Sequence, residues 1–206
     1  RQRDGGKYSG SEQQRVLLLR TAIAEGVEYV DLEDDVAGSI PRFGATKRIV
    51  SMHDFRKTPQ DLQAIHRHLC TMDPDIVKIC TMANVPDDNL RMLDLVKKSK
   101  VPTVGLCMGD RGLPSRILTG RFGAPCTYST FSDERTLAPG QLSFAQMKDD
   151  YRYDEINRET DVYGVIADPI GHSLSHLIHN AAFKKLRLNK EYVPILVPRE
   201  SLVTFM

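Results

Sequence analysis

The chain has 206 residues, 41% of them hydrophobic, enough for one sizeable core or two small ones. Lys and Arg number 28 against 27 Asp and Glu, a balance that leaves no electrostatic footprint for nucleic acid or an anionic membrane. No apolar run approaches the roughly 18 residues needed to span a bilayer, and no apolar stretch follows Arg1-Gln2-Arg3-Asp4-Gly5-Gly6 as it would in a signal peptide.

The chain opens without Met and on a motif, as a segment that begins inside a domain does. Over 11–25, Val16, Leu19 and Ile23 recur at helical spacing, with Arg20 as the polar interruption. Tyr29–Glu33 and 48–53 read as strands. Thr58-Pro59-Gln60-Asp61 reads as a helix start, with Thr58 as cap, Pro59 in the first turn and Asp61 reaching back. Leu62, Ile65 and Leu69 then share one face. A strand over 76–81 follows. Pro86-Asp87-Asp88 opens a helix carrying Leu90, Leu93 and Val96; its acids at the start and Lys97, Lys98 and Lys100 at the end suit the helix dipole. Strands over 102–108 and 125–130 complete this part.

Strict alternation of β and α argues for a parallel sheet. Two architectures remain, the doubly wound sheet and the (β/α)8 barrel, and periodicity does not separate them. His53 at the end of one strand and Lys78 inside the next favour the barrel, of which about five of eight units are visible. From Lys148 to Thr160 the chain is charged and poor in aliphatic residues, as the end of a last helix and a linker would be. A new unit opens with a strand at 162–166, a turn at Asp168-Pro169-Ile170-Gly171, a helix over 175–186, a strand over 192–197 and the start of another helix before Met206. The expected division is 1–150, a linker at 151–161, and 162–206.

Cys70, Cys80, Cys107 and Cys126 form no C-x-x-C pair, which argues against a zinc site. Small buried thiols in a reducing, cytoplasmic compartment are expected.

In Asp75-Ile76-Val77-Lys78-Ile79-Cys80 a lysine stands inside an apolar strand. Such a residue is either a side chain that snorkels from a strand end or a desolvated amine, made nucleophilic toward ketones by burial. His53, in Ser51-Met52-His53-Asp54-Phe55, is suited to moving a proton near neutral pH. Arg116, in a short helix after the fourth strand, can grip a carboxylate bidentately. Ala138-Pro139-Gly140-Gln141 is a turn ending in an amide that can bond hydroxyls.

Together these segments resemble the type I 3-dehydroquinate dehydratases. Ser51 to Phe55 with Thr58-Pro59 resembles their S-x-H-D-F…T-P, Tyr29–Glu33 their Y-V-D-L-E, and Asp75 to Ile79 their D-I-V-K-I. Ser115-Arg116 with Phe122-Gly123, and Ala138 to Gln141, match S-R…F-G and A-P-G-Q. The resemblance implies an α/β (β/α)8 barrel lacking its first strands, with a further Glu and Arg pair that those strands carry. It implies that Lys78 forms an imine with the C3 ketone of 3-dehydroquinate. His53 takes a C2 proton and returns one to the departing C1 hydroxyl. Arg116 holds the carboxylate, Gln141 contacts ring hydroxyls, and neither metal nor diffusible cofactor is needed. Asp4 stands where the family has the Glu of E-G-G, which orients the histidine; it is one methylene shorter. Arg1 and Arg3 lie near the place of a substrate-binding Arg but out of register, and Leu137 replaces a Ser, with Thr136 as the nearest hydroxyl.

Residues 162–206 resemble the opening of the shikimate dehydrogenases, from Gly164-Val165-Ile166 through Pro169-Ile170-Gly171-His172-Ser173-Leu174-Ser175 to Ile178-His179-Asn180-Ala181-Ala182-Phe183 and Tyr192-Val193-Pro194. This implies the start of an α/β substrate-binding domain in which Ser173 and Ser175 hold the shikimate carboxylate at a helix N-terminus. As mere helix caps the two serines would serve structure alone. His176 stands where a Pro is usual. The family's catalytic Lys and Asp and its NADP(H) domain would lie beyond Met206, and no G-x-G-x-x-G occurs in the chain. The resemblance thus implies a bifunctional parent acting on 3-dehydroquinate and 3-dehydroshikimate, with a homodimer as one possible assembly and no nucleic-acid or membrane partner. Two other readings are a non-catalytic barrel that scaffolds or binds ligand, and another Schiff-base barrel such as a class I aldolase, which leaves Ser173 and Ser175 unexplained.

Overall fold

The computed structural model describes residues 8–132 and 140–206. Helix α1 (Glu12–Ala24) begins at Ser11, whose hydroxyl accepts from the Gln14 amide at 3.2 Å while the Gln14 side chain accepts from the Ser11 amide at 2.9 Å. Then follow β1 (Tyr29–Glu33), a short α2 (Asp34–Ala37), β2 (Lys47–Asp54), α3 (Leu62–Cys70), β3 (Ile76–Met82), α4 (Asp87–Lys98), β4 (Thr103–Met108) and α5 (Leu113–Leu118). The strands form one four-stranded parallel sheet in the order β1-β2-β3-β4.

Side chains alternate across this sheet. Val30, Leu32, Val50, Val77, Ile79 and Cys107 point to one face and make the main core with residues of the helices, among them Ile23, Leu62, Leu69, Met92 and Leu95. Each such aliphatic side chain contributes about 1.5–3 kcal/mol when fully buried. Ile49, Ile76, Cys80, Val104 and Leu106 point to the opposite face and form a smaller cluster with Cys126 and Tyr128. Lys78 lies on this second face, because its register partners are Ser51 and Val104.

Several local expectations are corrected. Asp61, not Thr58, caps α3 and accepts from the Ala64 amide at 2.7 Å. The Thr58 hydroxyl is drawn into the sheet end, 2.8 Å from the Thr81 hydroxyl and 2.9 Å from the Met82 carbonyl. On α4, Leu90 is exposed and the buried apolar side chains are Met92, Leu93, Leu95 and Val96. Asp88 and Asn89 occupy the buried side of its first turn, where Asp88 accepts from the Asn84 and Val85 amides and Asn89 donates to the Arg111 carbonyl at 2.7 Å. Residues 125–130 form no strand; Thr130 makes a single bridge to Ser143. The polar residue that α1 buries is Arg15, paired with Glu12, Glu33 and Asp35, whereas Arg20 stays outside and reaches the Ser39 carbonyl.

After a single π-helical turn at Gln146–Asp150, β5 (Asp161–Ala167) and β6 (Lys190–Leu196) pair in parallel, joined by α6 (Ser175–Lys185), and α7 (Leu202–Phe205) follows. The two sheets share a core. Val193 of β6 is buried in one cluster with Leu93 of α4, Ile117 and Leu118 of α5, Met147 and Tyr151. Arg121 and Arg152 tie the connecting segment to both sides of this seam. Arg121 Nε donates to the Thr160 carbonyl at 2.7 Å, and Arg152 donates to the Lys190 carbonyl at 2.7 Å.

Candidate active site

Lys78 extends from the middle of β3, and only 8% of it is exposed. His53 follows Ser51 by two residues on the neighbouring β2 and pairs with Cys80, so its side chain shares the face of Lys78 one step further along. The His53 ring is half-buried and stacks on Phe55 with centroids 6.1 Å apart. Asp31 of β1 occupies the same face one step before Lys78, through the register Asp31 to Ile49 to Ile76. The Lys78 ammonium donates to Asp31 Oδ2 at 2.7 Å and sits 4.3 Å from the centre of the Tyr128 ring. The Ser51 hydroxyl, in register with Lys78, is buried without a hydrogen-bond partner among the described residues.

Burial pulls the Lys78 ammonium down, but the Asp31 carboxylate, Cys80 and Tyr128 together outweigh it and hold Lys78 above the usual lysine value. This reverses the depressed amine expected from the apolar strand. The resting group is a charged ammonium paired with a carboxylate. Burial pushes the Tyr128 phenol up to about 12, against the pull of Lys78, so the ring facing the ammonium is neutral near pH 7.

Arg116 lies in α5 and is buried, with Nε unpartnered among the described residues. Burial lowers its pKa while Cys80 and Cys107 oppose, which places the guanidinium within electrostatic reach of β3 and β4. The helix that carries it is tightly fixed. Ser115 Oγ accepts from the Cys107 amide at 2.7 Å and donates to the Gly112 carbonyl at 2.8 Å, and the Ser115 amide donates to Asn89. A Cβ on Gly112 would stand 2.5 Å from the Cys107 carbonyl, so only glycine lets α5 pack this closely on β4. The Arg116 carbonyl in turn accepts from the Thr127 hydroxyl at 3.0 Å, anchoring the segment that presents Tyr128.

Gln141 follows Gly140, which has φ +67° and whose Cβ would lie 2.4 Å from the Gly109 carbonyl. This close approach sets the turn against the loop after β4. Gln141 lines a cleft of about 600 Å³ with Asp110, Leu113, Asp168 and Pro169; none of Lys78, His53 or Arg116 lines it. The Gln141 Oε1 is buried without a hydrogen-bond partner among the described residues. Asp4, Arg1, Arg3, Thr136, Leu137, Ala138 and Pro139 lie outside the described residues.

In the second unit Ser173 precedes α6 and Ser175 is its first residue, both half-buried. The Ser173 hydroxyl accepts from the Ser175 amide at 3.3 Å. His176, where a proline was expected, stacks on the buried Tyr151 with ring centroids 5.6 Å apart and planes within 6°. The residue thus serves the seam between the sheets. Among the described residues, no cluster of three or more His, Cys, Asp and Glu side chains is arranged to hold a metal.

The sequence reading missed Asp31 and Tyr128 as neighbours of Lys78. Asp31 carried a signal, an acid flanked by Val30 and Leu32 at the centre of a strand. Tyr128 carried none, because its segment is not a strand.

A four-stranded parallel sheet, with the main core and its helices on one face and Asp31, His53 and Lys78 on the other, defines an α/β protein. The chain belongs to the type I 3-dehydroquinase family, whose model matches residues 1–158. The model for the shikimate dehydrogenase substrate binding domain matches residues 165–206. The chain is 39% identical over 211 residues to the chloroplastic bifunctional 3-dehydroquinate dehydratase/shikimate dehydrogenase of Arabidopsis thaliana, with 98% of this chain and 35% of the relative covered. It is 36% identical to the 3-dehydroquinate dehydratase of Syntrophobacter fumaroxidans, with 69% of this chain and 65% of the relative covered. Among solved structures, the dehydroquinate dehydratase and shikimate dehydrogenase from S. pombe is similar over 100% of this chain and 41% of its own, with TM-score 0.60 and 25% identity. The type I 3-dehydroquinate dehydratase from Clostridium difficile is similar with TM-score 0.62 and 26% identity, over 70% of this chain and 62% of its own. The chain therefore spans about a third of the length of the bifunctional plant relative and about two thirds of the shorter one.

Proposed function

We propose that this chain carries the Schiff-base chemistry that dehydrates 3-dehydroquinate to 3-dehydroshikimate. The observation that carries the reading is Lys78, buried on the face of a parallel sheet opposite the main core, with His53 on the next strand of the same face. An imine between Lys78 and the C3 ketone makes an electron sink that acidifies the C2 hydrogen. His53 takes that proton, and the electron pair expels the C1 hydroxyl, which leaves as water after protonation. Arg116 is assigned to the substrate carboxylate, Gln141 to ring hydroxyls and Asp4 to orienting His53. None of these steps calls for a metal or diffusible cofactor.

We assign the dehydrogenase step to a longer parent protein. There Ser173 and Ser175 would hold the carboxylate of 3-dehydroshikimate, and NADP(H) would reduce it to shikimate. This chain has no G-x-G-x-x-G segment to cradle the dinucleotide. The unit boundaries at 150 and 162, the cytoplasmic compartment and a homodimer belong to the same proposal. Four free thiols suit a reducing compartment. No helix among the described residues is long and apolar enough to cross a membrane.

Borohydride reduction in the presence of 3-dehydroshikimate, followed by peptide mass spectrometry, tests the reading. A stable adduct on Lys78 that disappears in Lys78→Ala is expected. Absence of the adduct on a folded sample would overturn it in favour of a scaffold or ligand-binding barrel.

A further inference from the structure

The mechanism above needs a neutral amine, yet the structure holds Lys78 as half of an ion pair. Every neighbour of the ammonium bears on this. Asp31 approaches from β1 at 2.7 Å and Tyr128 from the segment after α5, with its ring at 4.3 Å. Cys80 of the same strand and Cys126 interact with Lys78 electrostatically, and Arg116 of α5 acts on Cys80 in turn. His53 shares the face from β2. Burial raises both thiols, so near pH 7 they are neutral. Asp31 is the one carboxylate of the described residues in direct contact with the ammonium. Its side chain is 35% exposed against 11% for that of Lys78, so it opens toward solvent.

We propose that Asp31 is the proton acceptor of Lys78: it holds the amine as an ammonium at rest and takes its proton when a carbonyl carbon arrives. The inference rests on the Schiff-base reading for its biological use, but the proton relation between the two side chains is a property of the resting protein. One proton moves from Nζ to Asp31 Oδ2, and the freed lone pair forms the C–N bond. The carbonyl π electrons move to oxygen, which takes the proton back from Asp31. A second proton passes from nitrogen to that oxygen, the C–O bond breaks, and water departs. The positive charge stays on the iminium nitrogen and Asp31 ends as it began, a carboxylate beside a cation. Tyr128 keeps its ring against the charge throughout, and a neutral phenol cannot compete for the proton.

The test is reductive methylation of the whole chain with formaldehyde and a borane reductant across a pH series, with Lys78 followed by peptide mass spectrometry. Formaldehyde needs no substrate site, so the curve reports when Lys78 loses its proton. In Asp31→Asn the half-labelling pH should fall by about 1–3 pH units, because an opposite charge in contact has been removed. Asp31→Glu should restore most of it. An Asp31→Asn curve that superimposes on wild type, with the circular dichroism unchanged, would overturn the proposal. The wild-type curve supplies a check that needs no variant: half-labelling of Lys78 well below that of the exposed Lys57 would also overturn it. Repeating the series with 3-dehydroshikimate separates the two ideas. Shifted formaldehyde curves with no dehydroshikimate adduct would retain Asp31 and discard the dehydratase reading.

Discussion

The two sheets place their chemistry differently. In the four-stranded sheet Asp31, Ser51, His53 and Lys78 stand within strands, on the face opposite the main core, and the backbone register fixes their relation. In the two-stranded sheet Ser173 and Ser175 stand at a loop-to-helix junction, half-buried, with one hydroxyl already engaged by a local amide. A strand-borne group is held by the hydrogen bonds of its strand to one neighbour at the sheet edge, as for Asp31, or to two in the interior, as for Lys78. A junction group is held only by its own turn and by what packs behind it. Precision in the second unit therefore depends on the seam, where Tyr151 supports His176 and Val193 is buried with Leu93 and Ile117.

The largest effect should come from breaking that seam. Ile117 is fully buried in the shared cluster, and Ile117→Ala removes side-chain carbons where both sheets meet. A cost of about 2–5 kcal/mol is expected. It is read from urea titration, with hydrogen exchange of the Tyr151 amide reporting on the seam and far-ultraviolet circular dichroism on the whole. A loss of the same size from Leu69→Ala, which lies in the main core, should leave the surroundings of Tyr151 intact. If both variants disturb Tyr151 equally, the sheets unfold as one unit and the contrast drawn above fails.

The first sheet was far more legible than the seam. Its strands are near-continuous apolar runs, as strands packed on both faces are, and the helices carry periodic faces. Lys78 and His53 stood out because a charge or an imidazole in such a run is conspicuous. What stayed hidden depended on partners distant in sequence. Thr58 had the local chemistry of a cap, but Thr81 and Met82 compete for its hydroxyl. The run at 125–130 has strand-like residues, yet only Thr130 finds a ladder partner. The Lys78 charge state could not be read either, because burial and Asp31 act in opposite directions and the sequence shows only the first. Arg48 likewise looks like a strand residue, yet it is a buried tie that donates to the carbonyls of Ile40, Ala37, Met72 and Asp73.

A somewhat smaller effect should separate the sheets by pH. Glu191 of β6 is 1% exposed and accepts from Asn180 Nδ2 at 2.6 Å. Burial raises its pKa to about 8, although Arg152, Asn180 and the Tyr192 amide pull the other way. The unfolded value is about 4.3. Between these two values the folded chain binds the extra proton, so this group's contribution to stability falls as pH rises across the window and levels off above it. A loss on the order of 3 kcal/mol is expected between about pH 5 and pH 9. Glu191→Gln should remove that slope and be the more stable protein at pH 9, as judged by urea titration at each pH. A slope that persists in the variant would place the titrating group elsewhere.

The smallest effect tests whether the first sheet is as rigid at its edge as at its centre. Strand β1 is the edge of the four-stranded order, and α1 makes contacts with it, with Arg15 reaching Glu33. The start of α1 depends on the reciprocal bonds between Ser11 and Gln14. Ser11→Ala deletes the hydroxyl that accepts from the Gln14 amide and should cost about 1 kcal/mol. The loss should be local. Amide hydrogen exchange should quicken in the first turn of α1, while the amides of β2 and β3 that frame Lys78 keep their protection. Faster exchange in β3 would show that the helix start holds the strand register, and that the site owes its geometry to the edge of the sheet as much as to its middle.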